Sequence, residues 1–311
     1  MENKSSASRR AAITGSALGA VGVLGFSMSL PATRAAVADL DPWLVAFGRA
    51  VGAGLLAVLY LWWRRVPRPS AAQCRRLAVV AAGVVVGFPL FTSLALTATT
   101  AAHGGVVVAV LPALTAVFAV LRARERPSAL FWLASGAGAA VVVVFTAISG
   151  SATGALETAD VFLLAAVVLC GLGYAEGGAV ARELGGANTI CWALVLSLPV
   201  TVGISTIAAV QTPPHAGPAA WTGFAYLTVV SMFLAFFAWY AGLARGGIAR
   251  VGQIQLAQPL LTLAWAVLLL GETVPGSAVA VALAVLLCVA LTQRTRAAGV
   301  RRAPRREVPV R

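Results

Sequence analysis

Pro112–Glu125 reads PALTAVFAVLRARE, and Pro259–Glu272 reads PLLTLAWAVLLLGE. Superposed at a shift of 147 residues, 7 of the 14 positions agree: Pro, Leu, Thr, Ala, Val, Leu and Glu. A shift of nearly half the 311-residue length marks a duplicated chain. Both copies are apolar stretches of membrane-spanning length, so the duplication reads as two halves of one membrane-embedded assembly.

Composition gives the same class. The chain is 60% hydrophobic and 11% charged, against about 25% charged residues in a soluble domain. So much apolar surface needs lipid as its solvent. The net charge of +13 does not indicate nucleic acid, because the basic residues fall in short segments between apolar runs, with no aromatic-interleaved basic face. Cys74, Cys170, Cys191 and Cys288 are scattered without a CxxC or Cys/His spacing, and His103 and His215 are far apart. Neither a disulfide framework nor a metal site is expected. There is no phosphate loop, dinucleotide fingerprint or nucleophile elbow, so the expectation is a non-enzymatic protein without a cofactor.

Ten apolar runs can be marked: 11–31, 42–62, 77–96, 100–121, 128–147, 160–180, 188–209, 219–242, 248–270 and 276–293. They predict an all-α polytopic membrane protein of ten transmembrane helices. The expected organisation is a cytoplasmic N-terminus (1–10), a first five-helix repeat (11–147), an outer linker (148–159), a second five-helix repeat (160–293) and a basic cytoplasmic tail (294–311). The first run, followed by Ala36-Val37-Ala38, has the outline of a secretory signal. It is longer than the roughly 7–15 residues of a signal core, so it reads as an uncleaved first helix.

With the N-terminus inside, 21 of the 23 Lys and Arg residues fall on the cytoplasmic side, leaving Arg34 outside and Arg49 within a span. This bias predicts a multi-pass protein of the cytoplasmic membrane with both termini in the cytoplasm. Five spans per copy is an odd number, so the second copy is expected to lie inverted relative to the first. Inverted repeats place a binding site near the midplane and imply alternating access.

Further stretches extend the pattern: Asp41–Arg65 (DPWLVAFGRAVGAGLLAVLYLWWRR), Leu94–His103 (LALTATTAAH) and Ala241–Arg250 (AGLARGGIAR). With the two Pro…Glu blocks, they make the chain resemble the drug/metabolite transporter superfamily, in its ten-helix EamA type, over roughly residues 10–293. The resemblance implies a secondary transporter of amino acids or similar small metabolites, most often an exporter. The alternatives are an exporter of drugs or cationic compounds and, in another class, a membrane-embedded transferase or a non-transporting scaffold. The implied partners are a small-molecule substrate, protons as a candidate coupling ion and the lipid bilayer, but no nucleic acid; monomer and homodimer both stay open. The first block ends Ala-Arg-Glu and the second Leu-Gly-Glu, which predicts different jobs for Glu125 and Glu272.

Several residues are candidates for the transport chemistry. Pro112 and Pro259 fall within spans and lack an N–H, so the carbonyls of Val108 and Gln255 are expected to lose their helical donor, making the prolines candidate hinges. Arg49 is an intramembrane charge with two readings: a fork for a substrate carboxylate, or a structural pair with Asp39 or Asp41. Glu176, in GYAEGG beside Tyr174, reads either as a proton-coupling group or as an anchor paired with an arginine such as Arg182. His103 opens the fourth span and is either a titrating site residue or an interfacial one. Gln255 and Gln258 share a helix face beside Pro259 and are candidate cavity lining. Trp239 and Tyr240 are candidates as well, with an aromatic belt as the alternative. The Gly15, Gly19, Gly22, Gly25 series predicts close helix packing.

Overall fold

The computed structural model describes residues 2–123 and 157–274, with side chains from residue 11, and single positions within 129–141 and 276–287. Among these, eight helices are long and apolar enough to cross a membrane: α1 (Ala11–Val37), α2 (Leu44–Trp63), α3 (Ala71–Ala98), α4 (Ala101–Arg122), α5 (Thr158–Leu184), α6 (Gly186–Gln211), α7 (Pro218–Gly246) and α8 (Ile248–Leu270). The protein is an all-helical, multi-pass membrane protein. The expected runs at 128–147 and 276–293, and Glu125, lie outside the fully described residues.

Short polar side chains set the helix ends. Asp41 Oδ1 accepts from the N–H groups of Trp43 (2.9 Å) and Leu44 (3.1 Å) and so opens α2. Ser70 and Gln73 form a capping box, which starts α3 earlier than the expected residue 77 and draws Cys74, Arg75 and Arg76 into the helix. Thr100 Oγ1 accepts from the His103 N–H at the start of α4. Gly185 and Gly247 have φ of 86° and 89°, a region closed to most L side chains, and each turns the chain from one helix directly into the next.

The helices are interrupted at specific points. α1 is broken between Glu2–Ser27 and Ser29–Val37. Pro31 has no N–H for the Ser27 carbonyl, and Thr262 Oγ1 of α8 donates to that carbonyl instead at 2.8 Å. α3 and α7 both contain π-helical turns, Ala81–Gly87 and Leu227–Leu234. These overlap when shifted by 147 residues, so the duplication seen in the sequence reaches the backbone irregularities as well.

Pairing across the two halves is reciprocal. α1 packs along α7 and α5 packs along α3, while α2 meets α6 and α4 meets α8. Absent side chains permit the first two contacts. A Cβ on Gly15 would come within 2.6 Å of the Gly246 nitrogen, and one on Gly83 within 2.5 Å of the Leu169 oxygen. The opposite faces carry exposed Leu55, Leu59, Val200, Ile207 and Leu268, the apolar surface that a helix turns to lipid.

Candidate functional site

A small internal cavity lies inside the bundle between six of the helices. Its lining comes from α1 (Phe26, Ser29), α2 (Arg49), α3 (Val84, Phe88, Pro89), α5 (Cys170, Tyr174), α7 (Ser231, Met232, Phe236) and α8 (Gln255, Gln258). Both halves of the chain therefore contribute. Its volume is about 20 Å³, the scale of a single water site.

Arg49 is its one formal charge among the described residues. The side chain is 2% exposed, and its Nε and Nη2 have no hydrogen-bond partner. Neither aspartate expected to pair with it does so: Asp41 caps α2, and Asp39 Oδ2 accepts from the Gly217 N–H at 2.9 Å. Ser29 Oγ and Ser231 Oγ lie 2.7 Å apart and join α1 to α7. Gln255 Nε2 donates to Gln258 Oε1 at 3.2 Å and reaches Tyr174 Oη at 3.4 Å, while Gln255 Oε1 has no partner.

Aromatic rings close the space. Phe26, Tyr174 and Phe236 form a triangle with centroid separations of 4.8–6.2 Å. Trp239 stands behind Tyr174 at 5.2 Å, and the Tyr240 hydroxyl donates to the Gly173 carbonyl at 3.1 Å. Both are fully buried and neither lines the cavity. They support its wall and do not form an aromatic belt, because the small residues of α1 and α5 admit them to the protein interior.

Two other candidates, His103 and Glu176, take places away from the cavity. His103 Nε2 lies 2.7 Å from Asp160 Oδ1, at the end of the bundle where α4 and α5 begin. Glu176 is buried, and its two oxygens go to Arg76 Nε at 2.5 Å and Arg122 Nε at 2.8 Å, not to Arg182. Arg76 also reaches Glu183, which accepts from Gln73 as well. This ionic cluster ties α3 and α4 to α5 at the basic end of the bundle, and it engages both oxygens of Glu176. Glu272 caps α4 from the opposite end, accepting from the N–H groups of Ala101 (2.9 Å) and Ala102 (3.0 Å).

The prolines sit just inside restarted helices. Pro112 lies in the helical segment Leu111–Ala123 after the turn at Ala109–Val110. Pro259 lies in Gln258–Leu270 after a 3₁₀ turn at Gln253–Ala257. The Gln255 carbonyl, expected to be orphaned, accepts from the Gln258 N–H. Before Pro259 the tighter 3₁₀ turn supplies the bond the proline cannot.

Ser29, Ser231, Phe26 and Cys170 are cavity residues that sequence reasoning missed. Hydroxyls in apolar runs occur on most spans, and only the tertiary contacts single out these two.

A duplicated membrane bundle around an internal cavity agrees with the sequence comparisons. Residues 13–147 and 157–294 each match the EamA-like transporter family. The chain belongs to that family. An uncharacterized transporter, YdeK, of Bacillus subtilis (strain 168) is 47% identical over 276 residues, covering 89% of this chain and 96% of that protein. An uncharacterized transporter of Archaeoglobus fulgidus is 21% identical over 235 residues, 75% of this chain and 81% of its own length. A crystal structure sharing 20% identity superposes with a TM-score of 0.64 over 89% of this transporter and 97% of that chain, which shows a common fold.

Proposed function

We propose that this membrane transporter carries amino acids or similar small metabolites, as an exporter, by alternating access around the Arg49 cavity. One observation carries the reading: a buried cavity with an unpartnered guanidinium, lined by both halves of a duplicated chain. In this reading the complete bundle has ten helices in two inverted repeats, and the reciprocal pairing of α1 with α7 and α5 with α3 supports it. Inverted halves can exchange conformations and so expose one site to each side in turn. The helix breaks before Pro112 and Pro259 supply hinges on the two sides of the site. The Glu176 cluster is the ionic tie that closes the basic end, a role its two arginine contacts favour over proton coupling.

Cys170 gives the test, since it lines the cavity and is 1% exposed. In a variant whose other cysteines are serine, reconstituted in liposomes, a membrane-impermeant thiol reagent should label Cys170 slowly from either side, and a transported solute should slow both reactions. Labelling from one side alone, with net flux intact, would refute alternating access at this site.

A further inference from the structure

We infer that the cavity is a carboxylate site that selects net-anionic solutes over zwitterions and cations, an inference that rests on the transport reading for the same cavity and narrows its small metabolites to carboxylates without an ammonium, in place of zwitterionic amino acids. The argument begins with the geometry of one guanidinium. Nε and Nη2 are the two donors along one edge of the arginine fork, and both are buried without a hydrogen-bond partner. That edge offers two parallel N–H groups, the arrangement a carboxylate accepts with both oxygens. Burial without a counter-charge is costly at membrane depth, so an intramembrane arginine persists where it meets a partner or serves a function.

The described acids have other places. Asp39 and Asp41 hold backbone N–H groups, Glu157 caps α5, Asp160 meets His103, Glu176 and Glu183 meet arginines, and Glu272 caps α4. Among the described residues, the cavity lining contains no carboxylate. A bound cation would therefore face the guanidinium with no opposing charge, and the ammonium of a zwitterion would have only neutral groups to meet. A solute with a carboxylate and no ammonium leaves neither charge unpaired.

A second group defines the other end of the ligand. Gln255 Oε1 is buried and unpartnered, an acceptor that wants an O–H or N–H donor. Phe26, Tyr174 and Phe236 offer an apolar wall between them. Once the cavity widens from its one-water volume, a hydroxy acid with a small apolar or aromatic body meets all three features, because its hydroxyl donates to Gln255 without adding charge.

Two matched series test the inference on the full-length protein: lactate, alanine and ethylamine, then phenyllactate, phenylalanine and phenethylamine. Within each series the body is similar and the charge differs. Binding is read by titration calorimetry. At least one carboxylate should bind about tenfold or more tighter than its zwitterionic and cationic counterparts. Arg49→Gln should erase that preference, and Arg49→Lys, which keeps the charge but not the fork, should keep only part of it. Equal or tighter binding of a cation, a preference that survives Arg49→Gln, or no binding of either carboxylate overturns the inference; the Arg49 donors would then be satisfied by water. Flux in proteoliposomes separates this inference from the transport reading. Arg49-independent flux of alanine or ethylamine keeps the transporter and sinks the carboxylate site. Carboxylate binding without flux of any solute keeps the site and sinks the transport reading.

Discussion

Replacing Glu176 with glutamine isolates the charge of the ionic cluster while nearly keeping its shape. The native carboxylate gives one oxygen to Arg76 and the other to Arg122. The amide keeps one acceptor but turns an N–H₂ donor toward the second guanidinium, so one contact becomes repulsive. Removing one partner of a fully buried pair costs about 3–5 kcal/mol. Here the Glu176 side chain is 4% exposed but those of Arg76 and Arg122 are 32% and 43% exposed. Both arginines can turn toward water, and screening reduces their attraction, so about 2 kcal/mol is a better expectation. At about 2–4 °C per kcal/mol, the melting temperature in detergent should fall by roughly 4–8 °C. The variant should also label faster at Cys170 from the basic side, since the tie between α4 and α5 is weakened. A double variant with Arg122→Gln should lose less than the two single losses added, because the second change removes a contact already lost. An unchanged melting temperature, or strictly additive losses, would refute the assignment of Glu176 as a tie between helices.

Other substitutions probe separate parts of the argument. Glu272→Ala leaves the Ala101 and Ala102 N–H groups without their cap and should cost about 1–2 kcal/mol in chemical or thermal unfolding; no change would mean that water replaces the cap. Gly15→Leu drives a side chain into the Gly246 backbone and should prevent α1 from seating on α7, seen as loss of the monodisperse peak in size-exclusion chromatography. A normal profile would show that α1 can pack elsewhere. Arg49→Met removes a buried charge without a partner and should raise the melting temperature while abolishing transport, the opposite of the Glu176 pattern. Destabilisation by Arg49→Met would reveal a structural partner for that guanidinium.

The sequence by itself determined the class, the duplication and the short list of intramembrane polar residues. Those properties are local: apolar runs of spanning length, a block repeated after 147 residues, and charges that lipid does not tolerate without cause. Arg49, Tyr174, Gln255 and Gln258 were legible for that reason, each being conspicuous in an apolar run, and the structure brings all four to one cavity. What each polar group meets was decided by tertiary structure. Asp39 and Asp41 lie close to Arg49 in the chain, yet they spend their oxygens on Gly217 and the α2 N-terminus. Glu176 finds Arg76 and Arg122, 100 and 54 residues away, rather than the neighbouring Arg182. Ser29 meets Ser231 across 202 residues. Helical periodicity tells which face a side chain occupies, but not which other helix comes to that face. That choice depends on the close approach of α1 to α7 and of α5 to α3, where glycines let backbones touch and so fix which polar groups meet and which, like the Nε and Nη2 of Arg49, are left buried without a partner.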